Sequence, residues 1–187
     1  MKVKSRFSYF LGVSILLLVF AIGYQLLSHV DSPNISPLLE SVAGFSTDRQ
    51  QLGSEGGFHY LRKGNITNLN SSQRLELVTE LNRPSVIEDQ IITPQTTAQL
   101  VSRNGKTFIE VLMVGTTTIY SEEGPAESIY SGVEGKVEGD GPISEVNILT
   151  GNESNQTIQV FVPSENTKFK LSTDPENSGV IWLDILL

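Results

Sequence analysis

The 187-residue chain has no cysteine, and that absence excludes a good deal. It removes disulfides, cysteine-ligated zinc, iron–sulfur clusters, thiol catalysis and a cysteine lipid anchor. Histidine is nearly as scarce, with two residues, His29 and His59. They are separated across a polar linker, which argues against a two-histidine metal site. Basic residues are few as well. Lys2, Lys4 and Arg6 precede the first apolar run; taking those three from the 13 basic residues leaves 10 against 21 acidic ones, a net of −11 for the remainder. A surface that acidic does not suit nucleic acid or anionic lipid, both of which call for positive charge. No glycine-rich loop joins a strand to a helix, so nucleotide binding is disfavoured. Without crosslinks or cofactors, the chain must fold on a hydrophobic core.

One long hydrophobic run is present. Residues Phe7 to Leu27 carry no charge. As a helix this segment would extend roughly 30 Å, enough to cross the hydrocarbon core of a bilayer. The three basic residues before it, with none after it until Arg49, place the N-terminus in the cytoplasm and the rest outside. The expected organisation is a cytoplasmic tail at 1–6, a transmembrane helix at 7–27, a linker at 28–57 and an extracytoplasmic all-β domain at 58–187. The alternative is a secreted protein released by signal-peptide cleavage near Gly23, since Ala21-Ile22-Gly23 resembles a cleavage site. The uncleaved anchor is preferred, because the apolar run continues past that site to Leu27.

Beyond the linker the period of the sequence becomes two. Leu75, Leu77 and Leu81 share one face and Arg74, Glu76 and Glu80 the other. Val133 and Val137 alternate with Glu134, Lys136 and Glu138. Val146 and Ile148 alternate with Glu145 and Asn147, and Phe169 and Leu171 with Lys168 and Lys170. The clearest signal is a hairpin, Thr97–Ser102 against Thr107–Val114, turning at Asn104-Gly105. That dipeptide readily takes the positive φ angles of a two-residue hairpin turn. Phe58–Arg62 reads as a short strand, Gly64–Ser72 as a turn-rich stretch, Asp174–Gly179 as a turn and Val180–Leu187 as the last strand. Trp182 is expected in the core of that strand. About nine or ten short strands at this spacing describe a sandwich, roll or partly open barrel of antiparallel strands.

The order of segments resembles the FecR-type domain. Asp89–Thr93, Ala98-Gln99-Leu100, Asn104-Gly105-Lys106, Ile109-Glu110-Val111 and Thr116–Ile119 follow that family's early pattern. Glu134–Val137, Val160–Ser164 and Thr167–Leu171 are similar to its later strands. The resemblance covers about 75–187. Asn166-Thr167 stands where the family has Gly-Thr, and Val162 replaces the threonine of its Thr-Pro pair. Only six residues precede the apolar run, too few for the cytoplasmic anti-sigma region of the best-known members. The resemblance therefore implies an extracytoplasmic β-domain that binds another envelope component, and not sigma-factor regulation.

Little in the sequence points to catalysis. His59 reads as a half-buried strand residue rather than a triad base. Glu122, Glu123 and Glu127 could act as paired acids, and read instead as a solvated loop. Asp174–Gly179 and Glu138–Gly141 offer oxygen ligands for calcium, but without the spacing of a known loop. Asn-x-Ser/Thr triplets at Asn34, Asn65, Asn70, Asn152 and Asn155 read as turn composition. No catalytic, cofactor or metal residue is expected. The expected role is a membrane-anchored binding or scaffold module of a bacterial envelope, with an envelope protein or cell-wall polymer as partner. The alternatives are a structural subunit of a secretion or pilus assembly and an envelope hydrolase.

Overall fold

The computed structural model describes residues 43–54, 56–82, 93–120, 127–149 and 155–187. The expected transmembrane helix lies outside these residues, as do Asp89–Ile92, Glu122 and Glu123. Among the described residues no helix is long and apolar enough to cross a membrane. All the regular structure described is strand.

The strands are β1 (Gln50–Leu52), β2 (His59–Asn68), β3 (Ser72–Leu81), β4 (Thr96–Arg103), β5 (Lys106–Val114), β6 (Thr116–Thr117) and β7 (Ile119–Tyr120). They continue as β8 (Glu127–Ser128), β9 (Ser131–Gly132), β10 (Gly135–Lys136), β11 (Glu145–Leu149), β12 (Asn155–Phe161), β13 (Phe169–Thr173) and β14 (Val180–Leu186). One sheet runs β1-β4-β5-β12-β11-β10, antiparallel throughout. The other runs β13-β14-β3-β2-β6, with β9 also on β2; β6 and β9 lie parallel to β2. The ribbon β7-β8 stands apart.

Period-two alternation builds the core. Leu61, Leu75, Leu77, Ile181, Leu183 and Ile185 come from the second sheet. Ala98, Ile109, Val111, Met113, Val146, Ile158 and Val160 come from the first, and all pack into one buried cluster with Phe169 and Ile143. Each large side chain withdrawn from water in this way contributes about 1.5–3 kcal/mol.

The expected hairpin is present. Arg103 pairs with Lys106 across the two-residue turn, where Asn104 has φ 55° and Gly105 φ 72°. Several boundaries differ from expectation, among them Glu127–Ser128, read as loop, which forms β8, and Asn155-Gln156, read as turn, which begins β12. Part of the expected linker 28–57 is sheet: β1 pairs with β4, and Ser46 bridges Phe169. The stretch expected to be turn-rich from Gly64 continues as strand to Asn68, and the turn itself is short, with the Leu69 amide donating to Ser72 O at 2.8 Å. Its Asn and Thr residues are tolerated because Asn65 bonds Glu76, Asn68 accepts from Gln73, and Thr67 and Asn68 are exposed. Val133–Glu138, expected as a strand, pairs with β11 only at Gly135 and Lys136.

The two sides of the domain are joined differently. On one side the Gln50 side chain donates to Phe169 O (2.7 Å) and accepts from the Leu171 amide (2.8 Å). It makes the two bonds a neighbouring strand would make to the outer edge of β13. On the other side the chain itself crosses over. β9 pairs with β2 and then leaves it to become β10 of the opposite sheet. This crossing needs glycine twice: a Cβ on Gly64 would collide with the Tyr130 hydroxyl, and a Cβ on Gly132 with the backbone of Gly64.

Candidate functional site: two sheet faces and an open seam

The outer face of the second sheet is charged, and the charges at its centre are matched. The Arg74 guanidinium donates to both carboxylate oxygens of Asp184, at 2.6 and 2.8 Å. It also lies 3.8 Å from the centre of the Trp182 ring. The Trp182 indole N–H donates to Glu76 Oε2 at 3.3 Å, and the Asn65 amide reaches Glu76 Oε1 at 3.4 Å. The register places these groups side by side, with Trp182 opposite Glu76 and Asp184 opposite Arg74. The hydrogen bond to Asp184 raises the pKa of Arg74, against the smaller opposing effect of burial. Trp182 is thus not in the core as expected; it forms the stacking floor for an arginine. β14 is a central strand between β13 and β3, as its apolar run suggests.

The outer face of the first sheet is built otherwise. Rows across it read Gln51–Thr97–Leu112–Thr157–Leu149 and Gln99–Glu110–Gln159–Asn147. Its two carboxylates are tied down by amides: Gln99 donates to Glu110 at 3.0 Å and Asn147 to Glu145 at 3.0 Å. Leu112 and Val114 are each 36 % exposed and Leu149 41 %. At the hairpin end Phe108 and Phe161 contact each other at 5.4 Å, with the Lys106 ammonium 5.2 Å from the Phe161 ring.

Between the sheets, on the side where β9 crosses, a groove of about 450 Å³ opens. Gly64, Asn65, Ile66, Asn68 and Gln73 form one bank, and Gly132, Val133, Lys136, Val137 and Glu138 the other. Ile66, Val133 and Val137 pack against the core beneath it. Tyr130 supports the crossing strand, its hydroxyl donating to Val133 O at 2.9 Å. Burial, aided by Glu134, pushes the Tyr130 pKa up to about 12.

The chemistry considered from sequence does not converge here. His59 is 2 % exposed, more buried than expected, with its amide bonded to Gly115 O. Glu127 is exposed on β8. Asp174 Oδ1 accepts from the Glu176 amide and Asn177 Oδ1 from the Gly179 amide, so these oxygens shape the turn. Asp140 and Glu138 are exposed. Among the described residues, no group of three or more His, Asp or Glu is placed to hold a metal. Asn65 lies within β2 and Asn70 in the turn after it; Asn34 and Asn152 fall outside the described residues.

Several polar residues that the fold uses carry no signal in the sequence. Gln73 (2 % exposed) joins Asn68 to the Ile143 amide. Gln156 (1 %) joins Thr118 to Leu149 O. Nothing in the period-two pattern distinguishes a buried glutamine from an exposed one. No family model, curated protein or solved structure matches the chain.

Proposed function

We propose that the chain is a single-pass protein of a bacterial cytoplasmic membrane, with its N-terminus inside and its β-domain outside, and that the domain binds a partner protein of the envelope. The anchor is residues 7–27, uncharged and preceded by three basic residues. The observation that carries the binding role is the outer face of the first sheet. There Leu112, Val114 and Leu149 are exposed, and Leu112 and Leu149 share a row with the uncharged Gln51, Thr97 and Thr157. Such a face is desolvated at small cost and suits a docking surface. The opposite face, whose central charges Arg74 and Asp184 are already paired, does not.

In architecture we favour the partly open barrel over the sandwich or roll, because one seam is joined through Gln50 while the other parts around the groove. Of the segments similar to the FecR-type domain, those after Thr93 fall on or beside β4, β5, β6, β10, β12 and β13, and the kinship we propose is at the level of the domain and not of sigma-factor regulation.

A photo-crosslinking residue at Leu112 or Leu149, in intact cells, tests the reading. The expected result is one discrete protein adduct from either position, and none from Glu80, which is exposed on the other sheet. Adducts only to cell-wall glycan, or none, would defeat it. A reporter fused after Leu27 that proves active only in the cytoplasm would defeat the topology.

A further inference from the structure

The groove beside β9 is bordered by strand edges whose backbone groups pair with no strand among the described residues. In an antiparallel ladder, alternate residues direct both N–H and C=O towards the partner strand, and the residues between direct them away. The Leu69 amide bonds to Ser72 O. Counting back from that pair, Thr67 and Asn65 bond across to Arg74 and Glu76, while Ile66 and Asn68 face away from β3. Gly64, of the same parity, shows where that side points: its carbonyl accepts from the Val133 amide at 3.0 Å. β9 accompanies β2 only at Lys63 and Gly64. Among the described residues no strand pairs with Ile66 or Asn68 on the groove side.

The other bank follows the same rule. The Val137 amide bonds to Ser144 O at 3.0 Å, and Gly135 pairs with Val146. Lys136, between them, turns its N–H and C=O away from β11. Both banks therefore offer donors and acceptors together. Ile66 and Asn68 lie about 6.8 Å apart along β2, the two-residue repeat of an extended peptide. A volume of about 450 Å³ is within the usual range of ligand clefts. The floor is apolar at Ile66, Val133 and Val137. Asn65, Thr67 and Asn68 carry neither the charge nor the proline that commonly guards an open edge. On the other bank Glu134 and Glu138 flank Lys136, on a chain of net −11 beyond the apolar run.

We propose that this groove takes an extended segment of a partner protein by strand addition to β2, with alternate apolar residues on the Ile66–Val133–Val137 floor and basic residues at its ends. The segment bonds to the backbone of Ile66 and Asn68 on one bank and Lys136 on the other, closing the open seam. Donor and acceptor alternating at the peptide repeat select a polypeptide over a glycan. The proposal rests on reading the domain as a binding module, and it assigns that module a second surface.

The test uses the full chain in detergent micelles and a fluorescent capped peptide alternating valine and threonine between terminal lysines. Saturable binding is expected, read by anisotropy. N-methylation of the peptide at alternate residues should weaken it by about tenfold per lost bond on the bonding edge and leave it unchanged on the other. Asn68→Pro and Lys136→Pro each remove an amide that has no backbone partner among the described residues, and should weaken binding by about tenfold. Asn68→Ala, which loses only the side chain, should retain it; circular dichroism confirms that each variant is folded. Absence of saturable binding, or binding indifferent to methylation and to both prolines, overturns the proposal. So does saturation by a glycan strand fragment in place of the peptide. An adduct at Leu112 or Leu149 alongside a failed peptide titration would refute the groove and leave the binding role intact.

Discussion

The two outer faces of the domain use polar residues to opposite ends. On the second sheet, Arg74, Asp184, Glu76 and Trp182 are committed to one another. The Asp184 side chain is only 9 % exposed and Arg74 23 %, so this ion pair is partly withdrawn from water. On the first sheet the carboxylates Glu110 and Glu145 are held by neutral amides, and the exposed carbon of Leu112 and Leu149 lies in a row of amides and hydroxyls. A charged, internally satisfied face resists association, because a partner would have to replace bonds that already exist. A face whose exposed aliphatics lie in an uncharged row asks less. The same strand periodicity underlies both; the difference lies in which side chains the register sets side by side.

The largest effect should come from breaking the charged face. Asp184→Ala leaves Arg74 half-covered without its partner and should cost about 3 kcal/mol, the low end for a buried pair because Arg74 retains some water. Urea denaturation would read it. Combining Arg74→Met with Asp184→Leu should restore stability to within about 1 kcal/mol of the parent, since matched apolar groups carry no desolvation cost. A double variant as unstable as the single one would show that the pair does more than neutralise itself. Trp182→Phe removes the indole bond to Glu76 and narrows the ring beneath Arg74, for a loss of about 1 kcal/mol.

The seam between the faces should respond to alkali. Tyr130 binds its proton more tightly in the folded state than its ordinary value of about 10. Its contribution is therefore complete below pH 10 and is lost as pH rises from there through about 12. Denaturation midpoints should fall across that window and fall less in Tyr130→Phe, which has no proton to lose; equal slopes would refute the assignment. The smallest effect on stability belongs to the outer face of the first sheet. Leu112→Lys with Leu149→Lys should shift the unfolding free energy by under ~0.5 kcal/mol. The same pair should abolish crosslinking from the neighbouring Val114. A pair that unfolds the domain would mean that this face is structural after all.

Much of the local structure was legible in the residues. Alternation at Leu75–Leu77 and at Val146–Ile148 marks strands because side chains on a pleated strand alternate faces. Asn104-Gly105 marks a hairpin because both residues tolerate positive φ. The candidate surfaces were not legible. Trp182 and Arg74 are 108 positions apart in a chain where both simply occupy the polar side of a strand. Gln50 belonged to a stretch read as tether, and its side chain acts as a strand edge only because β13 comes to lie beside it. Ile66 and Asn68 looked like part of a turn. Their open edge arises because β9 turns away after Gly132, which no property of residues 66 and 68 foretells.

The sequence by itself determined that the described domain is all-β: its period-two runs do not form amphipathic helices, and its turn residues stand where strands must reverse. Tertiary structure alone decided how those strands divide between two sheets, which glutamines are buried, and which side of the domain is stitched and which left open. Those outcomes depend on pairings between residues distant in the chain, and a local pattern of alternation carries no record of its partner.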